Sequence, residues 1–406
     1  MEGKMENKIG FKKTELGYIP KDWKVAMVKD MYELNSNQIT SSNTPFDEFY
    51  YIDLSSVKSN VVTVPNEKIK LDEAPSRAKR ILEQNDVIIS TVRPNLKGFA
   101  IADFKVDSMV CSTGFALIKS KDVLDGKYLL HNLFSHSISN QIENLVVGSN
   151  YPAINTSDVL NLIIPCPPLP EQQKIATILS KWDELIETQT KLIEEKEKQK
   201  KGLMQKLLTG EVRFPGFDEE WEEVELGEVA EFSNGKAHEN IVDENGKYIL
   251  ITSKFISTDG AVYRSLNDRL TPLYKNDIVM VMSDVPNGKA IAKCYLVEKD
   301  NLYSLNQRIG RFVFNDHDPK FMFYLLNRNP YFLAFDSGVG QTNLRKDDIL
   351  ECPLLLPSIP EQKKISSTLN AIDEEIQSLY DKLEAIKLQK KGLMQQLLTG
   401  EIRVKI

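Results

Sequence analysis

The sequence is poor in the residues that build disulfide-stapled or metal-bound domains. Its 406 residues include four histidines and four cysteines, Cys111, Cys166, Cys294 and Cys352, with no CxxC pair. A zinc site needs clustered thiolate and imidazole ligands, and a disulfide framework is typical of short secreted chains. We therefore expect four free thiols, no metal site and a reducing compartment.

The sequence also lacks long apolar runs and an excess of positive charge. No run reaches the roughly 18 residues that a membrane span requires, and the N-terminal stretch MEGKMENKIGFKK has no apolar core. We expect a cytoplasmic chain without export signal. The net charge of −7 excludes a small, uniformly basic DNA-coating protein, although positive charge can still be concentrated on one surface.

Familiar catalytic motifs are missing as well. There is no phosphate-binding loop, HExxH, nucleophile elbow or dinucleotide glycine fingerprint. The tripeptide Asn329-Pro330-Tyr331 is more typical of a turn after a helix than of a methyltransferase loop, and the charged run at 194–201 is typical of a solvated helix. We expect no active site in this chain.

What the chain does contain is a duplication. Segment 170–214, PEQQKIATILSKWDELIETQTKLIEEKEKQKKGLMQKLLTGEVRF, aligns without a gap with segment 360–404, PEQKKISSTLNAIDEEIQSLYDKLEAIKLQKKGLMQQLLTGEIRV. Weaker parallels precede each copy, such as the tryptophans of PKDWKVAMV and DEEWEEVEL, and the runs EQNDVIISTV and YKNDIVMVM. Each half is therefore a variable body followed by a repeated segment.

The repeated segments are predicted to be helices. Each follows a proline-rich stretch and has an acidic residue, Glu171 or Glu361, in its first turn. Each ends at a glycine, Gly210 or Gly400, placed for the left-handed conformation that closes helices. A further glycine, Gly202 or Gly392, lies within each helix and lowers helix stability by about 1 kcal/mol relative to alanine. Two explanations are open: close approach of another helix or a partner, and simple tolerance of the glycine.

Both helices carry an apolar seam with heptad spacing, broken in the first copy at Gln189 and Lys196. A helix of about 39 residues is roughly 58 Å long, too long to be buried in one of these bodies. We expect the helices to pair antiparallel around a pseudo-twofold axis; two helices packed separately on their own bodies are the alternative. The predicted pairing residues are Ile175, Leu179, Trp182, Ile186, Ile193, Leu203, Leu207, Ile365, Leu369, Ile372, Ile376, Leu379, Leu383, Ile386, Leu393 and Leu397.

The variable bodies are predicted to mix strands and helices. Short apolar runs indicate strands at 87–89, 115–118, 278–281 and 311–314, and the runs KYLLHNL and KFMFYLL indicate a helix at matching places. The predicted fold class is α+β, with two mixed α/β domains separated by two long antiparallel helices. The predicted bounds are 1–168 and 211–358 for the domains, 169–210 for the first helix, and 359–406 for the second helix with its tail.

These features together resemble a known family. The duplicated PEQQKIA…LLTGE and PEQKKIS…LLTGE helices, with the lead-ins TELGYIPKDW and RFPGFDEEW, are similar to the DNA specificity subunit of type I restriction–modification enzymes. The resemblance implies two target-recognition domains that each read half of a bipartite double-stranded DNA sequence. It implies two methyltransferase (modification) subunits docked on the repeated helices, with restriction/translocase subunits joining them. No cofactor is then expected in this chain, because S-adenosylmethionine, ATP and Mg belong to those partners.

Candidate DNA contacts lie in polar loops that follow the apolar strands. Arg, Lys, Asn and Gln side chains read base edges, and Arg, Lys, Ser and Thr bind phosphates. Any one of these residues could equally be part of an ordinary solvated loop; Asp284, if it reaches the interface, should accept a cytosine amino group. The candidates are Arg77, Lys79, Arg80, Ser90, Thr91, Arg93, Asn95, Lys97, Ser149, Asn150, Tyr151, Ser283, Asn287, Lys289, Asn306, Gln307, Arg308, Gln341, Thr342 and Asn343.

Two other functional classes stay open on sequence alone. A self-contained methyltransferase or nuclease would need the missing cofactor and metal motifs, and would modify or cut DNA without partners. A coiled-coil adaptor without a DNA role would keep the helices but would bind no duplex, even with its partners present.

Overall fold

The computed structural model describes residues 9–40, 43, 45–146, 152–285, 290–336 and 340–406. The chain divides into two units, the first formed by residues 1–191 with 381–406 and the second by residues 192–380. Each unit therefore contains one variable body and half of each long helix. The domain bounds predicted from the sequence, which end at the helix termini, stay a prediction.

The first body is built mainly from short strands. Its strands are β1 (Phe11–Thr14), β2 (Gly17–Pro20), β3 (Lys24–Met27), β4 (Glu33–Leu34), β5 (Glu48–Ile52), β6 (Val57–Lys58), β7 (Val61–Val62), β8 (Ile69–Lys70), β9 (Ala78–Ile81), β10 (Val87–Ser90), β11 (Phe99–Ile101), β12 (Met109–Ser112), β13 (Phe115–Lys119) and β14 (Ile163–Cys166). Its helices are α1 (Val28–Met31), α2 (Val123–Leu133), α3 (His136–Leu145) and α4 (Thr156–Asn161), and the long helix α5 (Leu169–Leu208) follows.

Two four-stranded sheets form the centre of this body, in the orders β11-β10-β13-β4 and β8-β5-β12-β9. Strand β10 pairs antiparallel with both β11 and β13, and β5 pairs parallel with β12. All four residues of β10 are buried, because one face meets the helical layer of α2 and the other meets the second sheet. This explains why β10 reads as a continuous apolar run without alternation.

The second body has its own strands and helices. The strands are β15 (Glu222–Glu225), β16 (Glu231–Asn234), β17 (Tyr248–Ile251), β18 (Arg264–Leu266), β19 (Ile278–Val281), β20 (Ser283–Asp284), β21 (Cys294–Leu296), β22 (Tyr303–Leu305), β23 (Ile309–Val313), β24 (Thr342–Asn343) and β25 (Pro353–Leu356). The helices are α6 (Leu226–Val229), α7 (Ser253–Ser257), α8 (Pro319–Leu326), α9 (Pro330–Leu333), α10 (Lys346–Leu350) and the long α11 (Ile359–Leu398).

The two bodies repeat one topology despite their divergent sequences. The sheet order β21-β19-β23-β16 corresponds to β11-β10-β13-β4, and the parallel pair β17-β22 corresponds to β5-β12. The small antiparallel pairs β14-β3 and β25-β15, which precede the long helices, correspond as well. The internal repeat seen in the helices therefore extends into the central sheets of both bodies.

The turn before the central strand shows how this repeat is encoded. Asn85 and Asn276 adopt positive φ angles of 67° and 73°, and each is followed by a buried aspartate. Asp86 accepts a hydrogen bond from the Glu83 backbone N–H at 2.9 Å, and Asp277 accepts one from the residue three positions before it at 2.8 Å. Asparagine tolerates the left-handed conformation and aspartate caps the turn, which explains the repeated Asn-Asp pair.

The long helices pair antiparallel within each unit. In the first unit, Asp183 of α5 forms an ion pair with Lys390 of α11, whereas the earlier residue Glu171 meets Arg403, beyond the end of α11. In the second unit, Lys196 lies 2.6 Å from Glu375, whereas Arg213, beyond the end of α5, meets the start of α11. Residues later in α5 therefore contact residues earlier in α11, as expected for an antiparallel pair.

Eight of the sixteen predicted seam residues lie in clusters that join the two helices. In the first unit Ile175 and Leu179 pack in one cluster with Leu393 and Leu397. In the second unit the cluster joins the last turns of α5 to the first turns of α11. All sixteen seam residues are buried or half-buried, and Gln189, which interrupts the apolar pattern, is buried too.

The predicted strands and short helices are confirmed. Strands cover three of the four predicted apolar runs completely and the fourth as far as Val313, and α2 and α8 include the two predicted short helices. Gly210 and Gly400 have φ angles of +72° and +68°, so both close their helices in the left-handed conformation. All four cysteines are free. Among the described residues, no helix is both long and apolar enough to cross a membrane.

Replacing the two closing glycines by alanine should have unequal effects. Both variants strain a left-handed residue, at about 1–2 kcal/mol each. In Gly400→Ala the new Cβ would also lie 2.4 Å from Pro20 Cγ, whereas in Gly210→Ala its nearest neighbour, Trp221, is at 3.5 Å. We therefore expect Gly400→Ala to lower the free energy of unfolding by about 1–3 kcal/mol more than Gly210→Ala, measured by urea denaturation. Equal losses would contradict this packing.

Candidate nucleic-acid interface

Candidate residues from three separate segments of the second body meet in one patch. Ser283 follows strand β19, Arg308 lies in the turn between β22 and β23, and Gln341 precedes β24, whose last residue is Asn343. The pairing of β20 with β24 brings Ser283 opposite Asn343. These four residues line a shallow depression of about 290 Å³, which we call the second-domain patch.

The polar groups of the second-domain patch are held in place by one another. Gln341 Nε2 donates to Ser283 Oγ at 2.6 Å and to Asn343 Oδ1 at 3.3 Å. The backbone N–H of Arg308 reaches Asn306 Oδ1 at 3.4 Å, so the half-buried Asn306 supports the turn. Arg308 itself is exposed and makes no ion pair with the residues that the structure describes. Its guanidinium is therefore available to an acceptor outside the chain.

Other candidates of the second body have structural partners or lie elsewhere. Thr342 is buried and its hydroxyl donates to Asp336 Oδ1 at 2.9 Å, whereas Gln307 is exposed beside Arg308. Asn287 and Lys289 lie outside the described residues.

Asp284, which we expect to accept a cytosine amino group if it reaches the interface, has hydrogen-bond partners within its own domain. Its Oδ2 accepts the backbone N–H groups of Ala290 at 2.7 Å and Ile291 at 3.2 Å, and its Oδ1 accepts that of Val285 at 2.9 Å. The carboxylate is thus occupied by three backbone donors that fix the two sides of a loop. Its role in the structure is to brace that loop.

In the first body the candidate loop divides into an inner and an outer part. Ser90 and Thr91 are buried, and their hydroxyls donate to the carbonyls of Val92 at 2.7 Å and Gly114 at 2.9 Å. Arg93 and Asn95 are exposed. The inner residues shape the loop, and the outer ones carry the side chains that face solvent.

The outer part of this loop is a short 3₁₀ turn, Pro94–Leu96, between two residues with positive φ, Arg93 at 49° and Lys97 at 53°. Non-glycine residues in this conformation are strained and are enriched at functional sites. The backbone N–H of Arg93 donates to the Pro152 carbonyl at 2.7 Å, which anchors the turn. Ser149, Asn150 and Tyr151 lie outside the described residues.

The three remaining candidates lie on or beside the edge strand β9. Arg77 is exposed and Lys79 is half-buried. Arg80 reaches inward, with Nη2 3.3 Å from Thr156 Oγ1, and burial lowers the pKa of its guanidinium. Arg77 and Lys79 therefore present their charge to solvent more fully than Arg80 does.

The sequence did not reveal a buried junction at the start of α5. Glu171, only 1% exposed, accepts hydrogen bonds from Trp23 Nε1 at 3.0 Å and from Arg403 Nε and Nη2 at 2.7 and 2.8 Å. Arg403 also binds Asp22 in a bidentate pair at 2.9 and 2.8 Å. Hydrogen bonds that Arg403 donates to Glu171 and Asp22 raise the pKa of its guanidinium, and Arg403 in turn lowers the pKa of Asp22.

The same junction recurs in the second unit at the start of α11. Glu361 is completely buried and accepts hydrogen bonds from Trp221 Nε1 at 3.2 Å and from Arg213 Nε and Nη2 at 2.9 and 2.7 Å. The sequence features that could have predicted these junctions are the arginine two residues after each LLTGE and the two tryptophans. Each junction ties the chain beyond one long helix to the first turn of the other.

A second duplicated contact lies further along the helices. Asp183 pairs with Lys390 in the first unit, and the equivalent Asp373 pairs with Lys200 in the second. Asp373 also accepts a hydrogen bond at 2.6 Å from Tyr324 of α8, and burial, together with this bond, raises the pKa of the phenol. The body, α5 and α11 therefore meet at one carboxylate in the second unit.

In the first unit His131 of α2 takes the place of the tyrosine. Its Nδ1 lies 3.9 Å from Asp183 Oδ2. Burial, together with the charges of Lys390 and Lys127, lowers the pKa of His131 to about 3. The imidazole is therefore neutral at pH 7, and its contact with Asp183 is not an ion pair.

The mid-helix glycines have no internal explanation. Among the described residues, a Cβ added at Gly202 or Gly392 would meet no atom within 4 Å, and both glycines are exposed. Close packing against another helix of this chain is therefore excluded as the reason for glycine at these positions.

Comparisons with known proteins agree with this architecture. The family model for the type I restriction modification DNA specificity domain matches the chain twice, at residues 20–198 and 218–388. The specificity subunit of the type I restriction enzyme MjaVIII of Methanocaldococcus jannaschii is 30% identical over 423 residues, covering 95% of this chain and 94% of that relative.

Two solved structures share the fold. A chain from a structure of a type I R-M system aligns with a TM-score of 0.62 and 22% identity, covering 95% of this chain and 99% of its own. The S subunit of a type I restriction-modification system from M. genitalium aligns with a TM-score of 0.57 and 18% identity, covering 93% and 96%.

Two DNA specificity domains with paired long helices define a DNA-recognition protein. The chain belongs to the family of type I restriction–modification DNA specificity subunits, and its two variable bodies are the target-recognition domains.

The buried histidine should make the first unit sensitive to acid. Because the pKa of His131 is about 3 in the fold and near 6.5 in the unfolded chain, the unfolded chain binds the proton preferentially between those values. The free energy of unfolding should fall as pH decreases through this window, by up to about 1.4 kcal/mol per pH unit. His131→Gln should reduce this slope in urea denaturation series between pH 7 and 4.5. Exposed His136→Gln is the control, and an unchanged slope in His131→Gln would contradict the assignment.

Proposed function

We propose that each target-recognition domain reads one part of a bipartite DNA sequence through the loops described above. The observation that carries the proposal is the second-domain patch, where Ser283, Arg308, Gln341 and Asn343 gather from three segments. Arginine and glutamine or asparagine are the side chains that make bidentate contacts with guanine and adenine edges. Their mutual hydrogen bonds hold the amides in place before DNA arrives, which favours specificity.

In the first domain the corresponding readers are the exposed Arg93 and Asn95, with Lys97 beside them. Arg77 and Lys79 would bind phosphates, because the exposed Arg77 lies beside the edge strand β9 and the half-buried Lys79 lies on it, where cations suit backbone contacts more than base contacts. We leave Ser90 and Thr91 out of the DNA contacts, since both hydroxyls are engaged inside the domain. The different residues in the two domains fit two different half-sites.

We also propose that the repeated helices dock two methyltransferase subunits, and that restriction/translocase subunits complete the assembly in the cytoplasm. Methylation with S-adenosylmethionine, and cleavage with ATP and Mg, would then take place in those partners. The support is the family membership and the duplication of helices beside unlike bodies. A single kind of partner that binds twice needs two equivalent docking surfaces. Two different half-sites, in contrast, need two domains with different DNA-contacting residues.

The base-reading role predicts a specific defect in Arg308→Ala. If Arg308 makes a bidentate base contact, its loss should weaken binding of the assembled complex to its target by about 1–3 kcal/mol, with little change for random duplex. Equilibrium binding to fluorescent duplexes at fixed salt measures both affinities. Arg93→Ala tests the first domain in the same way.

Arg264→Ala is the matched control, because Arg264 is exposed in the same domain but does not line the patch. It should leave the affinity for the target unchanged. Equal losses on target and random duplex would reassign Arg308 to phosphate binding, and no loss would remove it from the interface.

A further inference from the structure

Two exposed aliphatic side chains lie in equivalent loops of the two bodies. Leu96 follows strand β10 and is 65% exposed, and Val285 follows β19, the counterpart of β10, and is 66% exposed. Among the large apolar residues that the structure describes, only Ile9, Ile406 and Leu388 are more exposed. Single exposed apolar residues are common on protein surfaces, but the same exposure in the same loop of two divergent bodies is not expected from chance.

The backbone holds Leu96 at the surface of its domain. The N–H of Leu96 donates to the Arg93 carbonyl at 2.9 Å, and that of Lys97 donates to the Pro94 carbonyl at 2.9 Å, which closes the short turn. Pro94 is buried and anchors the turn, whereas Arg93 and Lys97 have the strained positive φ angles described above. Such strain persists only where the surrounding structure enforces it. The fold therefore presents this leucine to solvent in a fixed position.

Val285 is held at the surface by different bonds. Its backbone N–H donates to Asp284 Oδ1 at 2.9 Å, and Oδ2 of the same carboxylate accepts the N–H groups of Ala290 and Ile291 across the loop. Val285 also lies two residues beyond Ser283 of the second-domain patch. The two loops differ in hydrogen bonding, yet each presents an aliphatic side chain beside the proposed DNA-contacting residues.

We propose that Leu96 and Val285 each contact the methyl group of a thymine, one in each half-site. This inference rests on the proposed function, which places these loops on DNA, and adds the chemical group that the two aliphatic side chains recognise. Among the groups that bases present in the major groove, the C5-methyl of thymine is the apolar one, and apolar side chains contact it.

The neighbours of Leu96 favour the major groove as its binding place. Arg93 and Asn95 precede it in the same turn, and arginine and asparagine contact the major-groove edges of guanine and adenine. Adenine and the thymine methyl face this groove side by side in one base pair, so adjacent residues of one turn suit them both. An apolar wedge between base pairs, in contrast, enters from the minor groove and does not depend on the thymine methyl.

The test compares thymine with uracil, which lacks only the methyl group and keeps every hydrogen-bonding atom. The full chain, assembled with the methyltransferase subunit of its system, is titrated with fluorescent duplexes of the target motif at fixed salt. Each thymine of the motif is replaced by uracil in turn. In each half-site one replacement should weaken binding about 3- to 5-fold, the factor that burial of one methyl group provides.

Each alanine variant should remove the uracil effect in one half-site alone. Leu96→Ala should bind the thymine and uracil duplexes of one half-site equally and keep the effect in the other, and Val285→Ala should show the reverse pattern. Met27→Ala is the control, because Met27 is exposed on β3 of the first domain, outside the candidate loop, and it should keep both effects. All three side chains are exposed, so the melting temperatures should stay unchanged.

The outcomes separate this inference from the proposed function. If the unmodified chain does not prefer its target over random duplex, the proposed function fails and the inference fails with it. If it prefers the target but no uracil weakens binding, or both variants keep both uracil effects, the methyl contacts are wrong while the proposed function stands.

Two further results would also overturn the inference. Equal losses of Leu96→Ala on target and random duplex, without a uracil effect, would identify a wedge between bases. Loss of the methyltransferase subunit from the complex of either variant, measured by light scattering, would identify a contact with protein in place of DNA.

Discussion

The buried carboxylate at the start of each long helix is the contact on which the fold most depends. Glu171 and Glu361 are almost completely removed from water, and each is matched by a bidentate arginine and a tryptophan N–H. A buried carboxylate without such donors would be strongly destabilising. Because the arginine comes from the chain beyond the other long helix, each junction fixes both the antiparallel direction and the register of the pairing in its own unit.

The two units use this contact to support different bodies. The Asp183 and Asp373 contacts add a second fixed point, where a body helix meets both long helices. The junctions and the Asp–Lys pairs of the frame recur in both units, whereas the loops at the strand ends differ in sequence and in hydrogen bonding. A frame that tolerates exchange of its loops suits a protein whose task is to recognise different DNA sequences with the same partners.

Much of this architecture was predictable, because its signals are local or periodic. Helix ends followed from Gly210 and Gly400, the seam from heptad spacing, and the central strands from short apolar runs. The Glu361 junction was not predictable in the same way, since Arg213 lies 148 residues away in sequence and no local rule pairs them. The histidine at 131 also gave no signal, because its counterpart in the second body is a tyrosine.

Predictions for the recognition loops were less specific for a related reason. Residue type suggested Ser90, Thr91 and Asp284 as contacts, yet the fold uses their polar atoms to hold its own loops. The convergence of Ser283, Arg308 and Gln341 depends on the pairing of β20 with β24, two-residue strands that sequence patterns do not reveal. Polar residues at strand ends can contact DNA or hold a loop in place. Only their partners in the three-dimensional structure distinguish the two roles.

The central claim, that two unlike domains on a duplicated frame each specify one part of a DNA target, is tested most directly by mapping methylated adenines. Genomic DNA from cells with the chain, and from cells lacking it, should be compared by sequencing that detects the modified base. The account predicts methylation that depends on the chain and falls in one motif of two defined parts separated by a constant number of unspecified bases. Methylation at an uninterrupted motif, or an unchanged pattern in cells without the chain, would contradict it.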